Sequence, residues 1–335
     1  MKAKIQPGID FKEKVSLIMP AFNAENYVAN AIQSCLDQTY ENWELIIVDD
    51  CSSDSTIDVI RKHNDPRIKL YELDANSGPG RARNTGLEKC TGEWITVLDA
   101  DDAICLNRVE TFIHVAATTG ENFVYYDDLL PCTNQDTIPT IFDKKSENYT
   151  VDKNRQLTLN QWLLKDGYAK PFFHRSLLLD GSIRYRESIR GPEDTVFLVK
   201  LCAVNNVPLI KLATRSYVYR ETPGSLSNRG KKQILANKAA HALLDEISIE
   251  FPSINSGVKE FARKNSDFEN FLLIRELLVG RKYGRFLRRV FLHPKDLLIV
   301  MRKIEEKFLY EFLRISRNLS RTLGNKLTMG NRSGV

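Results

Sequence analysis

The chain has 335 residues, 42% hydrophobic and 27% charged, the balance of an ordinary soluble globular protein with a sizeable core. Its six cysteines, at positions 35, 51, 90, 105, 132 and 202, form no CxxC pair, which excludes a structural zinc site or disulfide framework and argues for a reducing compartment. The N-terminus, MKAKIQPGIDFKEK, has no apolar h-region, and no stretch approaches the ~18 apolar residues that span a bilayer, so the expected location is cytoplasmic.

Val15 to Met19 is predicted to be a buried strand, followed by a loop and a helix through Tyr27, Ala31, Ser34 and Leu36. Trp43 to Val48 is a second strand, and Ser52, Ser53 and Asp54 then cap a helix bearing Ile57, Val59 and Ile60. A third strand covers Ile68 to Leu73, a third helix Gly80 to Lys89, and a fourth strand Trp94 to Leu98. Continuously apolar strands alternating with helices predict a mostly parallel, doubly wound, Rossmann-like α/β sheet covered on both faces.

Later elements are a strand at Phe123 to Tyr126, a polar surface excursion at Pro131 to Lys153 and a helix through Leu157 to Leu164. A strand at Lys170 to His174, a helix from Glu193 to Val204 and a strand at Leu209 to Tyr219 complete a catalytic unit of residues 1–230. From 231 to 335 the pattern is helical, and Leu297, Met301, Ile304, Phe308, Phe312, Ile315, Leu319 and Leu323 mark one face of a long amphipathic helix. The charge is uneven. Residues 281–335 hold 14 Lys and Arg against 4 Asp and Glu, a surplus of ten on a chain whose net charge is +5. Such a basic segment suits an anionic lipid surface or nucleic acid.

Ligands of doubly wound sheets bind beyond the carboxyl ends of the strands. Four polar clusters fall there: Ala21 to Asn23, Asp49-Asp50, Asn76 to Gly78, and Asp99 to Asp102. Three closely spaced carboxylates after an apolar strand call for a divalent cation, arginines or solvent at a helix start. Glu193 and Asp194, after Gly191-Pro192 at a helix start, serve equally as caps or as an acid–base pair.

Six segments in this order, VSLIMPAFNAENY, ELIIVDDCSSDST, NSGPGRARNTGL, ITVLDADD, RGPEDTVFLVKL and YVYRETPGSLS, resemble the family 2 glycosyltransferases over roughly residues 13 to 228. The resemblance implies a GT-A fold and inverting transfer of a hexosyl or N-acetylhexosaminyl group from a nucleotide-diphosphate sugar, usually UDP-linked. Its DxD motif maps Asp101 to direct Mg²⁺ or Mn²⁺ contact and Asp99 to the ribose or a water-mediated metal contact. Asp102 is either a further ligand or a helix N-cap.

The family's uracil-binding loop corresponds to Pro20, Ala21, Asn23 and Glu25, with Phe22 where members often carry Tyr. Asp50 is implied on the base or ribose, with Asp49 structural. Asn76, Arg83 and Asn84 belong to the donor site, Arg81 binds the diphosphate or neutralises the acidic edge, Gly78 permits a turn, and Arg220 belongs to a tail loop suited to closing over a diphosphate. The ED motif implies Asp194 as base and Glu193 as a neighbour that orients acceptor or base.

The implied partners are a nucleotide-sugar donor and a glycan or lipid-linked acceptor of polysaccharide or glycolipid assembly, with no nucleic acid. Peripheral attachment to an inner membrane face through residues 281–335 is expected, with docking on the catalytic domain or self-association as the competitor. Two other readings are a nucleotidyltransferase, which lacks its GxGTR-type loop here, and a catalytically silent nucleotide-sugar- or membrane-binding relative.

Overall fold

A computed structural model describes residues 13–132, 153–179, 181–189, 192–220 and 231–266, with side chains from 237 onward in the last segment. Strands β1 (Val15–Ala21), β2 (Trp43–Asp49), β3 (Ile68–Glu72) and β4 (Trp94–Val97) pair in parallel in the order β3-β2-β1-β4. Helices α1 (Val28–Leu36), α2 (Thr56–Arg61) and α3 (Pro79–Lys89) connect them. Their carboxyl ends therefore share one edge.

The sheet extends past β4 through β9 (Phe172–His174), β6 (Val124–Tyr126), β10 (Leu209–Lys211) and β8 (Arg155–Leu157). Strand β9 runs antiparallel to both β4 and β6, with Thr96 opposite Phe172. That reversal matters for the site, because the residues entering β9 stand beside those leaving β4. Helices α4 (Arg108–Thr119), α5 (Leu159–Lys165), α6 (Glu193–Asn205) and α7 (Lys231–Glu250) complete the layers. A second, three-stranded sheet pairs β11 (Tyr217–Arg220) with β5 (Ala103–Ile104) and β7 (Leu129–Cys132).

Alternate residues of one strand feed two cores. Leu17, Met19, Leu45 and Ile47 pack with α1 and α4, whereas Ile18, Ile46 and Val48 pack with α3, α5, α6 and α7. Both faces are thus apolar, as the continuous runs of β1 and β2 require. Helix α3 lies tight against β1: a Cβ on Gly86 would stand 2.3 Å from the Ile18 Cγ2. Close packing there fixes where the start of α3 meets the sheet edge.

The single strand expected over Leu209 to Tyr219 is two strands in different sheets. The chain leaves β10 with Leu212 N donating to the Tyr126 carbonyl, and Ser216 then donates through N and Oγ to buried Asp127, at 2.5 and 2.7 Å. Arg108 pairs with the other oxygen of Asp127 and donates to Ser216 Oγ at 2.9 Å. A buried ion pair, invisible in the local pattern, turns the chain from one sheet to the other.

Residues 240–261, counted in the expected helical extension, contribute Ala240, Leu244, Ile254, Val258 and Phe261 to the core. By contacts the chain divides into 1–262 and 263–335. The expected long amphipathic helix, and most of the expected excursion at 131–153, lie outside the described residues. Among the described residues, no helix is long and apolar enough to cross a membrane.

At the edge opposite the polar clusters, the buried Glu44 carboxylate receives Ser16 Oγ, Thr91 Oγ1, Lys14 Nζ and Lys69 Nζ at 2.8 to 3.2 Å. Burial raises its pKa, but the hydrogen bonds from Lys69, Thr91 and Ser16 outweigh that and hold it well below the ordinary range. A depressed folded-state pKa contributes stability that is complete above the unfolded value, near 4.5, and drains away as pH falls below it. Glu44→Gln should cost about 1–3 kcal/mol at pH 7 and flatten the loss of stability below pH ~4.5, which urea melts across pH measure. Burial likewise pushes the Cys35 thiol up to about 12 and Cys105 up to about 11, so neither is a nucleophile.

Candidate active site

The first three clusters are stitched to one another at the sheet edge. Asp49 accepts Ser52 N and Oγ at 2.8 and 2.5 Å, a local turn that matches its expected structural role. Asp50 accepts the backbone N–H groups of Ser77 and Gly78 at 2.7 and 2.8 Å, and its carbonyl accepts Asn76 Nδ2 at 3.1 Å. Gly78, at φ +92°, is the turn that lets α3 begin there. The Asp50 N–H in turn donates to the Ala21 carbonyl at 2.8 Å. Asp50 therefore braces the loop that starts α3.

Pro20 and Ala21 are the last residues of β1 rather than loop. Asn23, at φ +48°, accepts Ser53 N at 2.9 Å and donates its own N–H to Ser52 Oγ. Glu25 accepts Ser55 N at 3.0 Å. The loop after β1 is thereby fixed to the loop after β2, with Phe22 left 45% exposed above it. Asn84 is differently engaged. Its side chain is buried and holds Tyr185 N, Tyr185 O and Glu187 Oε1 at 2.9 to 3.0 Å, so it orders the 185–187 segment.

Past this edge lies a compact ion network. Arg83, 4% exposed, sends Nη2 to Asp99 Oδ1 at 2.8 Å and Nη1 to Glu193 Oε1 at 2.7 Å, with Asp194 Oδ1 3.2 Å from Nη1. Lys170, 1% exposed, bridges Asp99 Oδ2 at 2.6 Å and Asp194 Oδ2 at 2.9 Å. Burial alone would lower the Lys170 pKa, yet Asp194 and Asp99 hold it well above the ordinary value. The Asp99 carboxyl, which burial would raise, is held low by Lys170 and Arg83. Asp99 and the two cations beside it, Arg83 and Lys170, therefore keep their charges at neutral pH.

Asp102 is not the helix N-cap open to it from sequence. It is buried, accepts Tyr217 Oη and Arg220 N, both at 2.8 Å, and so clamps β11 to the end of β4; the residue before α4 is Asn107. Burial, then the Asp101 and Asp99 charges, push its carboxyl well above the usual range. Arg220, 5% exposed, lies 4.8 Å above the Tyr27 ring, and its Nε and Nη2 have no hydrogen-bond partner among the described residues. Cationic donors held buried and unsatisfied suit an anion.

Among the described residues no three acidic, histidine or cysteine side chains converge as a ready-made metal cage. Mg²⁺ and Mn²⁺ are commonly held by one or two carboxylates with water and substrate phosphates completing the shell. Half-buried Asp101 offers a hard oxygen donor of that kind. Asp99 fits less well, since each of its oxygens already faces a cation.

Sequence reasoning missed Lys170, Tyr217 and Tyr185. A lysine opening an apolar strand carries no motif, and only the antiparallel placement of β9 brings it to Asp99. The one available signal was a charged residue next to a run, Pro171 to Phe173, that is otherwise buried.

A family model for glycosyl transferase family 2 matches residues 16–161. The chain is 41% identical over 225 residues to the UDP-Glc:alpha-D-GlcNAc-diphosphoundecaprenol beta-1,3-glucosyltransferase WfgD of Escherichia coli, covering 66% of this chain and 82% of that protein. It is 31% identical over 230 residues to the succinoglycan biosynthesis protein ExoO of Rhizobium meliloti, covering 66% and 64%. Two further relatives are spanned over only 48% and 41% of their length.

Among solved structures, S. aureus TarS 1-349 with UDP-GlcNAc aligns at TM-score 0.57 and 23% identity over 84% of this chain and 73% of that one. Mannosyltransferase PcManGT from Pyrobaculum calidifontis, in complex with GDP-Man and Mn2+, aligns at TM-score 0.55 and 15% identity over 87% and 84%. These likenesses give the fold, GT-A. With strand order, sheet-edge acids and the extent of the match to WfgD in agreement, the chain belongs to glycosyl transferase family 2.

Proposed function

We propose that the chain is an inverting glycosyltransferase that moves a hexosyl or N-acetylhexosaminyl group from a UDP-linked donor to a hydroxyl of a glycan or lipid-linked acceptor in bacterial polysaccharide assembly. The observation that carries this reading is Asp194. Its Oδ2 is held by Lys170, while its buried Oδ1 has no hydrogen-bond partner among the described residues.

Asp194 Oδ1 takes the proton of the acceptor hydroxyl as that oxygen bonds to the anomeric carbon. The bond from that carbon to the diphosphate oxygen breaks, and the electron pair leaves with the diphosphate. Attack comes from the face opposite the leaving group, which inverts the anomeric centre. Arg220 Nε and Nη2 face the developing charge. Glu193, tied to Arg83, keeps that guanidinium in line with Asp194 and Asp99. A divalent ion at Asp101 would supply Lewis-acid neutralisation of the diphosphate. The braced loops carrying Pro20, Ala21, Asn23, Glu25, Asp50 and Asn76 form the nucleotide side.

WfgD, whose printed name gives UDP-Glc as donor and a diphosphoundecaprenol-linked sugar as acceptor, supports a lipid-diphosphate acceptor. The basic residues 281–335 would then hold the enzyme on the anionic leaflet that presents it. The full chain should sediment with phosphatidylglycerol vesicles at low salt and release at high salt; no retention on such vesicles would remove this part. The donor is tested by thermal shift with UDP, GDP, CDP and their sugars, with and without Mn²⁺. A rise in melting temperature selective for one nucleotide is expected. Equal response to all, or to none, would sink the reading.

A further inference from the structure

We infer that Lys170 is a positioning residue for the base, locking one oxygen of Asp194 so that the other is presented to the acceptor. The inference rests on the proposed role of Asp194 and adds a residue that no motif marks.

Four observations meet at this side chain. The ammonium is 1% exposed and donates to two carboxylates, so it acts through those partners. Its contacts are Asp99 Oδ2 and Asp194 Oδ2, at 2.6 and 2.9 Å. Aromatic rings flank it, with the Tyr168 and Tyr217 centroids 5.5 and 5.8 Å from Nζ. Its backbone carbonyl is within 3.5 Å of Arg108 Nη2, which ties the segment leading into β9 to the Arg108–Asp127 pair between the sheets.

The chemistry follows from the asymmetry this creates. A carboxylate free to turn offers either oxygen and spends most of its time misaligned. Here Oδ2 is fixed by a charge-assisted bond, and Oδ1 is left with an ion pair to Arg83 Nη1 at 3.2 Å that lacks hydrogen-bond geometry. Oδ1 is the basic atom and Oδ2 is the anchor. Because Lys170 also holds Asp99, the anchor is set against the strand end that the donor reading uses. Base and donor site are thus referenced to a single ammonium.

The test uses the full chain, with the nucleotide-sugar that wild type turns over in the UDP, GDP and CDP panel. Lys170→Met should lower kcat about 100-fold, the scale of a misplaced general base, while UDP affinity in the presence of Mn²⁺ stays within about threefold because Arg83 still holds Asp99. Lys170→Arg keeps the charge but cannot place one nitrogen on both oxygens; it should recover part of the loss, remaining about tenfold below wild type. In a crystal structure of Lys170→Met the Asp194 carboxylate should have turned.

A folded Lys170→Met with kcat within threefold of wild type would overturn the inference, as would an unmoved Asp194 or a fall in UDP affinity matching the fall in kcat. Should the Met variant not fold, Lys170→Arg decides: wild-type kcat there also overturns it. Wild type inactive on, and unshifted by, every nucleotide-sugar would instead overturn the proposed function, and the inference with it.

Discussion

Asp194→Asn should lower kcat by about 10²–10⁴-fold while leaving nucleotide binding intact. The amide keeps the shape of the carboxylate and an oxygen for Lys170 at the Oδ2 position, 2.9 Å away in the native protein, so the network loses charge but not volume. What disappears is the proton acceptor at Oδ1. Because Asp194 faces Arg83 and Lys170, its neutralisation leaves two buried cations sharing Asp99 and Glu193, and a modest fall in melting temperature accompanies the loss of turnover. Turnover assays beside UDP thermal shifts separate the two effects. Undiminished turnover would remove Asp194 from the chemistry.

The largest effect on stability is expected at Arg83. Its guanidinium contacts Asp99, Glu193 and Asp194, and all but 4% of it is buried. Arg83→Met removes the fork and leaves three carboxylates with Lys170 as their cation. Breaking a buried pair by deleting one partner costs about 3–5 kcal/mol, a large share of the 5–15 kcal/mol that holds a typical domain. Arg83→Lys should lose nearly as much, because one ammonium cannot bridge carboxylates beyond β4 and on α6 in two directions. Urea midpoints measure this; a shift worth under about 1 kcal/mol for Met would contradict the network as the element that joins α3, α6 and β4.

The first four strands were legible because each is a continuous apolar run whose two faces are both buried, as with Leu17 and Ile18 of β1. The sheet edge was legible for the same reason, since parallel strands place their following residues together. Past Leu98 that logic weakens. Strand β9 reverses direction and β11 joins another sheet through Asp127 and Arg108, partners 89 and 108 residues from Ser216 in sequence. No local period encodes such contacts.

The site divides along the same line. Asp49 as a turn former, and Asp194 beside Glu193 at a helix start, follow from residue type and position. Lys170, Tyr217 and the clamp at Asp102 do not, because their partners come from distant strands. Asn84 shows the opposite limit: a motif position marks where a residue sits, whereas its three hydrogen bonds to 185–187 show what its side chain is spent on.

Inversion by a single base is tested most directly by the anomeric form of the first product, without knowledge of the acceptor. Proton NMR on the full chain with Mn²⁺ and an α-linked UDP-hexose would follow the sugar released to water in the first minutes, before mutarotation mixes the anomers. The β-anomer should appear first, at a rate about 10²–10⁴-fold lower in Asp194→Asn. Release of the α-anomer first would contradict inversion.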